Sequence, residues 1–142
     1  GGAAGGQAQL INPAFAQAAT MPLGAYAAQE VRGMQPLTDI IAAQFKQGQT
    51  MEHTIQLLAG KCYAALAVGA GIGEMNIKLV ALQPIPGIQN PVLATDKTTG
   101  ASAALGARGQ CFKWSLPIGV NAKVVYTAAA GQGIAAGRVY VK

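Results

Sequence analysis

The chain has 142 residues and a net charge of +5; 51% of its residues are hydrophobic and only 11% are charged. That length allows one domain with a substantial core and excludes a second catalytic domain. The basic residues are scattered singly, which argues against nucleic-acid binding, and no apolar run reaches the roughly 18 residues of a membrane-spanning helix.

The first segment, residues 1–37, differs in composition from the rest. Pro13, Pro22 and Pro36 are spaced too closely for a long helix or a central strand. The segment is too apolar for a solvated linker, so we predict an extended N-terminal arm that lies either on its own domain or on a neighbouring subunit. The candidate assembly residues of this arm are its large apolar side chains, Leu10, Ile11, Phe15, Leu23, Tyr26 and Val31.

From residue 38 onward, short apolar segments are bounded by turn residues. The segment 38–47 fits a helix or a strand, of which we favour the strand; 69–73 and 84–91 are interpreted as loops. The pattern predicts an all-β domain over residues 38–142, an antiparallel two-sheet sandwich of jelly-roll type with about eight strands. The predicted strands are 40–46, 51–58, 61–68, 75–82, 91–95, 110–115, 122–128 and 134–141.

The two cysteines occur in similar sequences, Gly-Lys-Cys-Tyr at 60–63 and Gly-Gln-Cys-Phe at 109–112. Each sequence is typical of the start of a strand, and stacked strands bring such side chains within bonding range. We predict a Cys62–Cys111 disulfide; the alternative is two buried thiols in a reducing compartment. The disulfide, together with the Gly-Gly-Ala-Ala opening, favours a protein that is exported to the cell surface or medium after its leader is removed.

Several turns and strands resemble those of the bacterial pre-peptidase C-terminal domain family. The resemblance covers residues 38–142 and is carried by Gly48-Gln49-Thr50, by the strand 54–58, by the Ala59-Gly60 turn and by the strand 76–79. It implies a small β-sandwich of the kind appended to secreted enzymes and surface proteins, and it is the reason why a strand is favoured over a helix at 40–46. Asn76 stands where that family often has an acidic residue, so the resemblance does not imply a metal site.

Side chains for catalysis are few. His53 lies on an alternating strand without a recognisable nucleophile or orienting carboxylate, which favours a half-buried structural histidine. The five acidic residues fall in separate segments, and two cysteines with one histidine do not form a zinc site. We therefore predict no enzymatic activity, no cofactor and no metal.

Two functions are consistent with this sequence. The low charge and the apolar arm favour an exported structural protein that self-associates, for example into a filament or surface layer, although abundant Ala and Gly also explain the composition. The alternative is a monomeric adhesion or carbohydrate-binding module, with Trp114, Phe112 and Lys113 as its candidate ligand face. The net positive charge would suit an acidic polysaccharide.

Overall fold

A computed structural model describes residues 5–142 of the chain. The first four residues of the Gly-Gly-Ala-Ala opening, on which the expectation of a removed leader rests, lie outside this range. Within it the chain forms a short 3₁₀ turn at Pro13–Phe15, one α-helix and nine strands. These are β1 (Gln9–Ile11), α1 (Gln17–Glu30), β2 (Gln35–Pro36), β3 (Ile41–Phe45), β4 (Thr50–Leu57), β5 (Cys62–Ala81), β6 (Val92–Thr95), β7 (Ser102–Leu105), β8 (Phe112–Lys113) and β9 (Val120–Val141).

Two long strands, β5 and β9, pair with each other along almost their whole length and belong to both layers of the sandwich. Residues 63–70 of β5 pair with 134–141 of β9 in the first layer, and 72–81 pair with 122–131 in the second. The first layer continues through β3 to β1 on one side and to β7 on the other. The second layer is completed by β4 and β6. All these pairs are antiparallel, so the predicted all-β sandwich is confirmed.

The glycine-rich stretch at 69–73 lies inside β5, so its prediction as a loop is wrong. The β5–β9 register shifts between Ala70 and Met75, and glycines with positive φ occur on both strands there, Gly71 at 83° and Gly131 at 86°. Only glycine adopts this backbone conformation without strain, so the glycines allow a bulged bend instead of ending the strand. The bend carries the two strands from one layer into the other.

The main core lies between the two layers. Its fully buried members include Phe45, Leu57, Met75, Ile77 and Tyr126. They alternate along their strands with exposed residues, for example the buried Leu57 with the exposed Gln56, as expected when one face of a sheet is buried. This alternation is the signal that made β4 and the second half of β5 predictable.

The outer face of the first layer is also buried, because α1 covers it. Ala19 and Leu23 of the helix pack with Ala64, Leu66 and other small side chains of that face. The prediction that residues 1–37 are extended is therefore wrong for α1. Pro22 is accommodated because it lies on the exposed side of the helix, where a carbonyl that loses its N–H partner can bind water instead.

The segment before residue 38 also contributes to the sheet. β1 pairs with β3, and β2 pairs with the last residues of β9. Together with α1, these contacts place the arm on its own domain. The division at residue 37 remains a prediction from composition, and these pairings cross it.

Candidate functional site

A groove of about 870 Å³ lies beside the C-terminal half of α1. Three parts of the chain form its walls: β6 together with the segment that follows it, strand β7, and the loop that joins β7 to β8. We call it the Arg108 groove. Its polar and aromatic lining consists of Tyr26, Glu30, Thr95, Lys97, Thr98, Thr99, Ser102, Arg108, Gln110, Phe112 and Lys113.

Two interactions fix Arg108 to the end of α1. Its backbone N–H donates to the carbonyl oxygen of Glu30 at 2.8 Å, and its side-chain Nε donates to Glu30 Oε2 at 2.6 Å. The Glu30 side chain is buried at 6% exposure, whereas that of Arg108 is 74% exposed. A buried carboxylate therefore holds an exposed guanidinium at the rim of the groove, and it raises the pKa of Arg108.

The β7–β8 loop is held at both ends. At its start, Gly106 has φ +73°, and a side chain there would lie 2.7 Å from the backbone oxygen of Tyr63. At its end, Cys111 forms the predicted disulfide with Cys62 of β5, which the structure confirms with a Cα–Cα distance of 5.4 Å. The loop is thus anchored at both ends where it borders the groove.

The opposite wall is also fixed by hydrogen bonds. Asp96 accepts from the backbone N–H of Ile77 at 2.9 Å and from the Thr98 hydroxyl at 2.8 Å. Glu74 accepts from the backbone N–H of Gly100 at 2.8 Å. These carboxylates are occupied in holding the wall in place, and they do not line the groove.

Within the described lining, three cations, Lys97, Arg108 and Lys113, face a single carboxylate, Glu30, which Arg108 already engages. The groove is therefore electropositive. Burial, and secondarily the Glu30 carboxylate, raises the pKa of Tyr26 above its ordinary value of 10. The groove thus combines cations, hydroxyl groups and two half-buried aromatic rings, those of Tyr26 and Phe112.

The predicted ligand face is only partly present. Phe112 and Lys113 line the groove, but Trp114 is buried at 3% exposure. Its indole Nε1–H donates to the carbonyl oxygen of Ile118 at 2.8 Å. The prediction of Trp114 as part of an exposed face is wrong because its ring belongs to the core.

The candidate assembly residues of the arm separate into three groups by exposure. Leu23 and Val31 are buried against their own domain, and Ile11 and Tyr26 are half-buried. Leu10 and Phe15 are exposed, at 62% and 80%. Only the latter two are available in full to another molecule.

His53 is half-buried, as predicted. Its Nδ1 lies 2.9 Å from the hydroxyl oxygen of Tyr126, which is fully buried. Burial lowers the pKa of His53 below its ordinary value of 6.5, which keeps the ring neutral. Its contacts are those of a structural residue.

Glu30 and Arg108 were not found from the sequence. A signal existed for each: Glu30 continues the buried stripe of α1 that begins at Ala19 and Leu23, and Arg108 is the charged residue of a loop that glycines bound at 106 and 109. Their contact joins residues 78 positions apart, and neither signal alone predicts it. In residues 5–142 no three His, Cys, Asp or Glu side chains are grouped as metal ligands.

The fold and the groove together describe an antiparallel β-sandwich with a concave site whose lining carries a net positive charge. No protein-family model matches the chain, and no curated protein sequence matches it. No helix in residues 5–142 has the length and apolar character that crossing a bilayer demands.

Solved structures similar to this chain are β-sandwich proteins. The pre-peptidase C-terminal domain of collagenase from Bacillus anthracis is 14% identical and has a TM-score of 0.49, over 72% of this chain and 89% of that one. PliG from Aeromonas hydrophila, a periplasmic inhibitor of g-type lysozyme, is 14% identical with a TM-score of 0.47, over 78% and 90%. The carbohydrate-binding module CBM36, solved with calcium and xylotriose, is 9% identical with a TM-score of 0.37, over 80% and 95%. A pre-peptidase C-terminal domain is thus among the structures that this chain is similar to.

Proposed function

We propose that this protein is an exported, non-catalytic β-sandwich that binds polysaccharide in the Arg108 groove. The observation that supports the proposal most directly is the lining of the groove, in which hydroxyl and basic groups lie together with the half-buried Phe112 ring. Sugars are bound by such mixtures, since their hydroxyls accept and donate hydrogen bonds while their C–H faces stack on aromatic rings. The volume of about 870 Å³ is in the usual range for a small-molecule site.

The carboxylates favour binding over hydrolysis. Glycosidases generally place two carboxylates across the scissile bond, whereas among the described lining residues Glu30 is the one carboxylate, and it is paired with Arg108. Export is supported by the Cys62–Cys111 disulfide, because such bonds persist in oxidising compartments.

A panel of insoluble and soluble polysaccharides tests this proposal. We expect the purified full chain to be retained by at least one of them, and Phe112→Ala to weaken retention by about ten-fold, which is the size of one lost stacking contact. Phe15→Ala is the matched control, because it removes an aromatic ring that is exposed and does not line the groove. Phe112→Leu keeps the apolar packing and separates loss of stacking from loss of fold.

Equal retention of all four proteins would contradict the proposal, and so would an absence of retention on every polysaccharide.

Self-association is a second candidate function, and the exposure of Leu10, Phe15 and Met21, at 62%, 80% and 71%, favours it. Leu10 lies on β1, which among the described strands pairs only with β3 and so leaves one edge open to strand addition. Sedimentation velocity of the full chain at rising concentration tests this function. We expect oligomers that Phe15→Ala weakens and Phe112→Ala does not; a monomer at all concentrations would refute it.

A further inference from the structure

The backbone of Arg108 is unusual for its residue type. Among the residues the structure describes, it is the one non-glycine residue with positive φ, at 56°. This left-handed conformation is unfavourable for a residue with a Cβ atom, and such residues cluster at functional sites. Glycine, which follows at position 109, would adopt it freely. A large cationic side chain therefore lies at the rim of the groove although the backbone conformation of this residue is unfavourable.

The guanidinium of Arg108 is held in place by Glu30, but most of its hydrogen-bond donors have no acceptor among the described residues. An arginine side chain has five N–H donors, and the contact with Glu30 uses the one on Nε. The Nη groups have no protein acceptor within residues 5–142, and Arg108 also lines an adjoining pocket of about 390 Å³ that contains Arg32. Four N–H donors in a planar fork are thus held ready for an acceptor from outside the protein.

Neighbouring charges decide what kind of acceptor fits. Lys97 and Lys113 share the lining with Arg108, and the one carboxylate present is already neutralised. A neutral sugar would leave these cations without partners, whereas a carboxylate or sulfate group accepts from an arginine fork through two parallel hydrogen bonds.

We infer that the Arg108 groove selects anionic polysaccharide, with a sugar carboxylate or sulfate held by the Nη groups of Arg108, and with Glu30 as the residue that positions the guanidinium. This inference rests on the proposed function and specifies its ligand.

The test is isothermal titration of the full chain with three glycans of similar length: oligogalacturonate, a sulfated galactan oligosaccharide and a neutral galactan oligosaccharide. At low salt we expect at least one anionic glycan to bind about ten-fold or more tightly than the neutral one, as charge-assisted hydrogen bonds imply. The two anionic glycans distinguish a carboxylate from a sulfate ligand.

Three variants separate a specific site from general attraction to a basic protein. Arg108→Gln retains a donor for Glu30 but removes the charge, and it should abolish the preference for the anionic glycan. Arg108→Lys keeps the charge without the fork, so it should retain only a small part of the preference for the anionic glycan. Lys46→Gln, at an exposed position in the turn before β4 and outside the groove lining, makes the same change in net charge and should alter affinity less than two-fold. Melting temperatures of all variants confirm that each is folded.

Each result has one meaning. If the neutral glycan binds as tightly as the anionic ones and Phe112→Ala removes that binding, the proposed function holds and the inference is overturned. If Lys46→Gln and Arg108→Gln weaken binding equally, the attraction is general and the inference is also overturned. If no glycan binds, the proposed function itself fails, and the inference with it.

Discussion

Removing the disulfide should lower the stability of this protein by a large and calculable amount. The bond joins residues 49 positions apart, and for a loop of that length the chain-entropy model gives about 4 kcal/mol at 25 °C. For a domain of this size each kcal/mol shifts the melting temperature by roughly 3 °C. The double variant Cys62→Ala/Cys111→Ala should therefore melt about 12 °C below the native protein.

The mechanism of this loss can be measured separately from its size. If the bond acts by restricting the unfolded chain, the variant unfolds to a more expanded state and exposes more surface. Urea unfolding at neutral pH should then show a larger slope of free energy against urea for the variant, as well as a lower midpoint. The native protein reduced with a phosphine is the matched control, and its curve should coincide with that of the variant.

A decrease in melting temperature of only 2–3 °C, with an unchanged urea slope, would refute this reasoning. It would mean that the contacts of the β7–β8 loop, including the Arg108–Glu30 pair, hold the loop in place without the covalent bond. If instead stability falls as expected but the slope does not change, the loss lies in the native state and the entropic account is wrong.

Three further predictions concern the core. Gly137→Ala would place a methyl group 2.6 Å from the ring of the fully buried Tyr126, so urea unfolding should show a loss of about 1–3 kcal/mol; an unchanged midpoint would show that the ring can move away. Trp114→Ala removes a buried ring and its hydrogen bond to Ile118, which should cost about 3–5 kcal/mol in the same assay, and a near-native midpoint would mean that the indole is exposed in solution. Burial lowers the pKa of His53 below 6.5, so as the pH falls below 6.5 this residue takes up a proton in the unfolded chain more readily than in the folded chain. The stability that the neutral ring contributes above pH 6.5 is therefore lost as the pH falls below that value. The difference in unfolding free energy between native protein and His53→Asn should therefore shrink from pH 7.5 to pH 5, and a constant difference would contradict the assignment.

The elements that the sequence predicted well are those buried on one face. β4 alternates between the buried Met51, Ile55 and Leu57 and exposed polar residues, and a period of two residues identifies such a strand directly. The disulfide was predictable for a related reason, since both cysteines lie in or beside strands whose starts are marked by glycine.

The features that the sequence did not predict depend on contacts with another part of the chain. The strand at 61–68 was predicted, but its burial on both faces was not. The first half of β5 is buried on both faces, from Tyr63 to Val68, because α1 covers the side that does not face the second layer. Its unbroken apolar run was a signal that something covers that side, but the run does not specify what. The helix itself was obscured by Pro22 and by a buried face composed largely of alanine, which gives little contrast with the exposed face.

The groove was the least predictable feature, because it exists only where three distant segments meet. Phe112 and Lys113 were predicted as binding residues because of their residue types. The residues that line the groove with them include Glu30 from α1 and Lys97 from the segment after β6. No local pattern links these positions. The Glu30–Arg108 pair connects α1 to the β7–β8 loop at the rim of the groove. It depends on the docking of α1 and on the disulfide that anchors the loop.

The packing of α1 against the sheet gives the N-terminal segment, residues 1–37, a structural role in the domain. In an assembly of extended arms, residues 1–37 would be separable from the sandwich. Here α1 buries the outer face of the first layer, including Ala64 and Leu66, and its last residue holds Arg108 in place. Deleting the segment would expose an apolar sheet face, which is a cause of aggregation in its own right, and would remove the anchor of the groove. Point variants such as Phe15→Ala therefore test self-association more cleanly than a truncated chain, because they leave both the covered face and the groove intact.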